Sequence, residues 1–245
     1  MDAARRQRDK LERRSRIIDA AEQVFLHTTV EHATMDQIAH AASVSKGSLY
    51  LYFKDKDDLY LSVALRAVDG LLERERIVQE QMREASGYAW FQAGLRCYAD
   101  YALEFRDRFR VAMSWLSVQT PLVEGSPTFG EYKSKIAQAF QFGVDALERG
   151  KRDGSVRADL DTALSLFNLW GGLVGLLLML SNSAEVARRI PFQVDFEKAL
   201  ECHLETLLAS VHPRHGSPVA TPTPDPELAR SGVRLIGPRE RAGLK

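Results

Sequence analysis

Apolar residues recur at helical spacing along most of the chain. Residues 11–27 place Ile17, Ala21, Val24 and Phe25 at i, i+4, i+7 and i+8, which predicts an amphipathic helix. Two much shorter helices follow. Thr34 and Gln37 form a capping-box pair, and Met35, Ile38, Ala39 and Ala42 share one inward stripe whose alanines admit a close neighbour. The run Ala41-Ala42-Ser43-Val44-Ser45 then breaks the period. Ser43 falls where the chain must turn sharply, Val44 turns inward and Ser45 caps the next helix. Leu49 and Phe53, four apart, pin that helix to a core, leaving Lys46, Gly47, Ser48, Tyr50 and Tyr52 toward solvent or along its flanks. A helix of two turns is not stable alone, so it must be mounted on its neighbours. A mounted short helix carrying a bare glycine and small hydroxyls fits the major groove of DNA, about 12 Å wide.

From Asp57 onward every recognisable segment is again helical. Leu59, Val63, Ala67, Gly70 and Leu71 continue a stripe into a long helix expected to end near Arg83, before the Ala85-Ser86-Gly87 break. Phe91, Leu95, Tyr98, Ala102 and Phe105 mark a helix over residues 88–105, with Gln92, Arg96, Asp100 and Glu104 opposite. Phe109, Met113 and Leu116 mark another over residues 108–117, and residues 120–127 form a loop. Tyr132, Ile136, Phe140, Gly143 and Leu147 define a helix over residues 132–149 that ends at Gly150 as its C-cap. Leu200, Leu204, Leu207 and Leu208 give residues 195–211 an apolar face. The fold class is all-α: a flexible basic arm (1–10), a three-helix helix-turn-helix domain (11–58), a larger helical domain (59–211) and a disordered, proline-rich tail (212–245).

Residues 162–184 carry no charge over 23 positions. Their length would permit a membrane span, and Gly171 and Gly175 have the small-xxx-small spacing of helix pairs. Asn168 lies inside the run, however, no basic cluster flanks it, and ordinary amphipathic helices surround it. The preferred reading is a helix with no membrane partner, packing one side on its own core and the other on a second subunit.

The stretch V-S-K-G-S-L-Y-L-Y-F-K-D-K-D-D-L, preceded by Ile38-Ala39, resembles the helix-turn-helix of the tetracycline-repressor (TetR) family, and the similarity covers roughly residues 13–62. The resemblance implies that Thr34, Ser45, Lys46, Gly47, Ser48, Tyr50, Tyr52 and Lys56 face double-stranded operator DNA. Lys46 and Ser48 suit base edges, Gly47 lets backbone approach, and the Thr34, Tyr50, Tyr52 and Lys56 donors suit phosphates. Two departures stand out. The family commonly has glycine where this chain has Thr29, and glycine in the turn where it has Ser43, so Ser43 is expected in a left-handed conformation.

The same resemblance implies a larger domain that binds a small-molecule effector and dimerises. It implies release from a pseudo-palindromic operator when binding moves the connecting helix. Effector identity is not written in the sequence, but the aromatic-rich region favours a hydrophobic one; the candidate pocket residues are Tyr98, Tyr101, Met113, Phe140, Asn168 and Trp170. Asn168 could equally fix register at a dimer seam. The candidate interface of the homodimer is Leu164, Gly171 and Gly175 with Leu200, Leu204 and Leu208. A dimeric adaptor, or an activator without small-molecule induction, is the alternative.

Charge adds little to this picture. The chain has 33 Lys and Arg against 33 Asp and Glu, and residues 1–60 also balance, so any positive surface must be local. Arg5, Arg6, Arg8, Lys10, Arg13, Arg14 and Arg16 outnumber Asp2, Asp9 and Glu12 in the arm. No secretory h-region is present, and Cys97 and Cys202 lack metal-ligand spacing; both facts suit a cytoplasmic protein with two buried helix thiols. No nucleophile, metal or phosphate-loop motif suggests an enzyme, and no cofactor or metal is expected.

Overall fold

In the computed structural model, residues 2–116 and 126–213 can be described. Most of the expected tail and most of the 120–127 loop lie outside the described residues. Helix α1 runs Asp2–His32, α2 Met35–Ala41, α3 Lys46–Tyr50, α4 Lys56–Gln81, α5 Gly87–Glu104 and α6 Arg106–Met113. A 3-10 turn, Ser114–Leu116, follows. Then come α7 Pro127–Asp153, α8 Thr162–Ser181, α9 Ser183–Arg189 and α10 Phe196–Val211. Among the described residues all regular structure is helical.

Helix starts follow from side-chain oxygens that accept otherwise orphaned backbone N–H groups. Asp55 accepts from Asp58 at 2.8 Å, Ser126 from Phe129 at 3.1 Å, Asp161 from Leu164 at 3.0 Å and Asp195 from Lys198 at 3.1 Å. Each such cap is worth about 1 kcal/mol. Among the boundaries that differ from expectation, two have a clear physical reason. Helix α1 begins at Asp2, so the residues read as a flexible arm are helical, and Arg14 is committed to Ser62 at 3.1 Å and to the face of the Phe53 ring. Helix α7 passes Gly150 and ends at Gly154, whose φ of 79° supplies the left-handed cap. Gly150 serves packing instead: a Cβ on Gly87 would lie 2.0 Å from its backbone nitrogen, so α5 and α7 touch backbone to backbone there.

Three groups of buried side chains fill the interior. The first joins α1, α2 and α3 through Ile17, Phe25, Ile38, Leu49 and Phe53, and takes in Leu59, Tyr60 and Val63 of α4 and Val111 of α6. The second is the core of the larger body, including Phe91, Leu147, Leu173, Leu177, Leu204 and Val211. The third, between them, holds Leu61, Ala64, Leu65 and Val68 of α4 with Ala112 and Tyr132. Hence α4 and α6 each contribute to the DNA-binding end and to the body.

Helix α8 is long and apolar enough to cross a membrane by composition alone. Its Leu166, Leu169, Leu173 and Leu177 are buried in the body, which is how a core helix is used. The opposite side presents Leu164 and Phe167, 59% and 62% exposed, together with Asn168, Gly171, Gly175 and Met179.

Candidate DNA interface and effector cavity

The two short helices are set by their caps. Thr34 Oγ1 accepts from the Gln37 N–H at 3.2 Å while the Thr34 N–H donates to Gln37 Oε1 at 2.9 Å, completing the capping box. At the turn, the Ser43 N–H donates to the His40 carbonyl and the Val44 N–H to the Ala39 carbonyl, which is a Schellman closure with Ser43 in the left-handed position. Ser43 has φ 55°, as its place in the turn requires. Ser45 Oγ then accepts from the Ser48 N–H at 3.1 Å and starts α3. A second strained residue was not anticipated: Thr29 has φ 61° and ψ 158°, a region almost reserved for glycine. Of the non-glycine residues described, Thr29 and Ser43 alone have positive φ, and both stand where the family commonly has glycine.

Thr34, Ser45, Lys46, Gly47 and Tyr50 are exposed, Ser48, Tyr52 and Lys56 are half-buried, and Leu49 and Phe53 anchor the helix from beneath. A Cβ on Gly47 would meet nothing within 4 Å, so this surface is open to a close backbone approach. Several of these donors already have partners. Lys46 Nζ lies 2.9 Å from both Asp36 carboxylate oxygens, and that hydrogen bond holds the ammonium above its ordinary pKa. Lys56 Nζ donates to the Glu31 carbonyl at 2.8 Å, which ties α4 to the end of α1 and leaves two donor positions for a phosphate. Tyr52 packs partly into the N-terminal core. Leu51, 80% exposed beside Tyr50, is a surface feature that periodicity missed. An exposed leucine at the end of a recognition helix suits a thymine methyl.

The body holds a partly open cavity of about 370 Å³. Of the candidate pocket residues, Tyr98, Tyr101, Met113, Phe140 and Trp170 line it. Trp170 Nε1 donates to Tyr98 Oη at 3.2 Å, and Phe140 packs edge-on against Trp170 at 5.3 Å. Burial pushes the Tyr98 hydroxyl up, with the Trp170 bond partly opposing. Asn168 is not there. It lies on the exposed side of α8, because the residues that face inward are Leu166, Leu169 and Leu173. Leu200, Leu204 and Leu208, expected at a subunit interface, are buried in the protomer's own core, and a helix has only one such stripe to give. Cys97 is half-buried and its thiol is pushed up to about 11 by burial, whereas Cys202, expected buried, is exposed.

Glu75 was missed as a cavity residue. It sits four residues after Leu71 on the inward stripe of α4, 7% exposed, with Oε2 lacking a hydrogen-bond partner, and burial pushes its carboxyl up to about 8. A charged residue in register with Ala67, Val68 and Leu71 was the available signal. A polar cluster lies between the cavity and α1. Arg108 Nε is 3.2 Å from Glu22 Oε2, Arg66 Nη2 is 3.5 Å from the same oxygen, and Arg66 also pairs with Asp19. Burial raises the Tyr101 hydroxyl while the neighbouring Arg108 opposes it, so the cavity wall and α1 share this cluster.

Residues 17–63 match the model of the bacterial regulatory proteins of the tetR family. Over 65 residues the chain is 45% identical to the HTH-type transcriptional activator FasR of Mycolicibacterium smegmatis, a match covering 26% of this chain and 30% of that protein. The chain thus aligns with less than a third of that relative's length. Among solved structures, the fatty acid degradation regulator FadR from Bacillus halodurans superposes with a TM-score of 0.62 at 20% identity, covering 82% of this chain and 97% of that one. FadR from Bacillus subtilis in complex with stearoyl-CoA gives 0.61 at 18% identity, covering 81% and 99%. Residues 17–63 thus form a helix-turn-helix domain of the tetR regulatory-protein type, and the helical body shares the fold of these solved structures.

Proposed function

We propose that this regulator binds a pseudo-palindromic operator as a homodimer in the cytoplasm, represses from it, and is released by a small hydrophobic effector held in the cavity. One observation carries the reading: α4 and α6 each have one set of residues in the N-terminal core and another on the cavity wall. Tyr60 and Val63 belong to the first set and Val68, Leu71 and Glu75 to the second; on α6, Val111 is followed directly by Ala112 and Met113. A ligand that repositions either helix must disturb the mounting of the DNA-reading helices. A coupling of about 1–3 kcal/mol between the sites is enough for induction. The stearoyl-CoA complex of a protein with this fold supports an apolar effector.

The homodimer rests on the outward side of α8, where Leu164, Phe167 and Met179 flank Gly171 and Gly175, neither of which would place a Cβ against anything within 4 Å. Glycines there let two helices approach closely, and an apolar side of this length is otherwise costly in water. On the DNA, Lys46 and Ser48 read bases, while Thr34, Ser45, Tyr50, Tyr52 and Lys56 position the domain and Gly47 clears the approach. Activation is the second reading, favoured by the printed role of FasR.

Selection of bound sites from random DNA, followed by gel shift on the enriched site with and without hydrophobic ligands, tests the proposal. Enrichment of inverted repeats and loss of the complex with ligand are expected. Full affinity for a single half-site would overturn the dimer, and a promoter fusion silenced by deleting the gene would replace repression by activation.

A further inference from the structure

The walls of the cavity are mostly hydrocarbon, and among its lining residues Glu75 Oε2 and Tyr101 Oη are buried without a hydrogen-bond partner. Of the side chains lining it, Glu75 is the only one that carries a formal charge, and its Oε2 is buried without a hydrogen-bond partner. A carboxyl so placed costs folding free energy, since neither water nor a protein donor replaces its lost hydration. Arg74, its neighbour in sequence, and Arg108 are committed elsewhere. Arg74 turns away to Glu104 at 2.8 Å and stacks on the Tyr101 and Phe105 rings, and Arg108 is held by Glu22 at 3.2 Å. What remains around Glu75 is aromatic: Phe91, Tyr98, Tyr101, Phe140 and Trp170 share the cavity with it. An acid oxygen among ring faces is the combination that stabilises an organic ammonium, because the carboxylate supplies the counter-charge and the rings supply cation–π attraction in a dry site. An anion finds no Lys, Arg or His in this lining to pair with.

We infer that the effector is a lipophilic amine whose ammonium group pairs with Glu75 while its apolar body fills the aromatic cavity. This deepens the proposal of a hydrophobic effector and rests on it. It also separates this chain from a regulator that takes only an acyl tail, for which a buried acid has no use. Binding supplies Glu75 with the partner it lacks, and because Glu75 lies on α4, the ligand's charge acts directly on the helix that enters the DNA-binding core.

Three probes with one tail and different heads test it: decylammonium, decan-1-ol and decanoate below their micellar concentrations, titrated against the full chain by tryptophan fluorescence, since Trp170 lines the cavity. Wild type is expected to bind the amine at least about 10-fold tighter than the alcohol, with decanoate weakest, as a buried charge pair requires. In Glu75→Gln that amine-to-alcohol ratio should collapse to about 1. Glu75→Leu, which also removes the polar atoms, should show the same collapse and guards against a Gln-specific packing defect; circular dichroism and melting establish that both variants are folded. Equal affinity of wild type for amine and alcohol, or a ratio that survives in both variants, overturns the amine while leaving a hydrophobic effector standing. If none of the three binds, the effector cavity itself is refuted.

Discussion

The N-terminal domain and the helical body hold strain in different places. In the DNA-binding domain it lies in the backbone: Thr29 and Ser43 adopt positive φ so that α2 and α3 can be set close against α1, with Thr34 and Ser45 satisfying the exposed helix starts. In the body the backbone is relaxed at its described non-glycine residues from α4 onward, and the cost sits in side chains and space, as a cavity of about 370 Å³ with an acid in its wall. A surface that must match one rigid partner, the duplex, fixes its main chain. A site that must accept and release a ligand keeps a rigid frame and leaves an internal group unsatisfied instead.

The sharpest way to break the body's frame is Gly87→Ala. The new methyl would lie 2.0 Å from the Gly150 nitrogen and 2.5 Å from the Ala146 carbonyl oxygen, with no flexible side chain to give way. A loss of at least about 4 kcal/mol, measured by urea unfolding, is expected, with soluble yield falling accordingly. Retention of wild-type stability would mean that α5 and α7 are not in backbone contact.

Removing the internal acid should act in the opposite sense. Glu75 in the folded chain titrates near 8, above the ordinary 4.5, so the native state holds the proton more tightly than the unfolded one. Its contribution is fully present below pH 4.5 and is lost as pH rises toward 8. Relative to Glu75→Gln, the wild type should therefore lose a few kcal/mol across that window, read as diverging unfolding midpoints. Parallel curves would place Glu75 in contact with solvent.

In the DNA-binding domain the corresponding test relaxes the backbone. Thr29→Gly should stabilise by about 1–3 kcal/mol and Ser43→Gly by about 1 kcal/mol, because each replaces an L residue held at positive φ. Thermal melts resolve both. Destabilisation by either would show that its side chain, such as the Thr29 hydroxyl 3.1 Å from His32 Nδ1, outweighs the strain. The smallest effect concerns electrostatics alone. Asp36→Asn frees Lys46 and removes a negative charge from the DNA-facing side, so operator affinity should rise several-fold, more at low salt than at high. An unchanged gel-shift midpoint at low salt would take Lys46 out of the interface.

Caps were the most legible part of the chain. Thr34 and Ser45 act locally, through bonds to residues three positions on, so sequence spacing suffices to find them. Ser43 was legible because a turn of that length demands a left-handed residue. Thr29 stood at an equally conspicuous departure from glycine, but nothing local in an otherwise helical run announces a reversal of φ. The body was harder to read because its helices are partitioned by tertiary contacts. An all-apolar helix such as α8 does not say which side faces home, which is why Asn168 was left open between cavity and dimer seam and Leu200, Leu204 and Leu208 were set outward. The aromatic residues of the cavity were candidates by composition, whereas Glu75 was passed over for being charged, although its position on the α4 stripe was a usable signal.

Helix α4 is continuous from Lys56 to Gln81, and that continuity makes it a lever arm. From Glu75 to Lys56 its axis is roughly 28 Å long at the ordinary helical rise, so a tilt of about 5° at the level of the cavity displaces the DNA end by roughly 2.5 Å. In a symmetric pair the two displacements add, and the separation of the recognition helices shifts by a sizeable fraction of a base-pair step or more. Stiffness, and not flexibility, is then what carries a small internal rearrangement to the groove. On the proposed reading, a helix-breaking insertion near Val68 uncouples the cavity from the N-terminal helices.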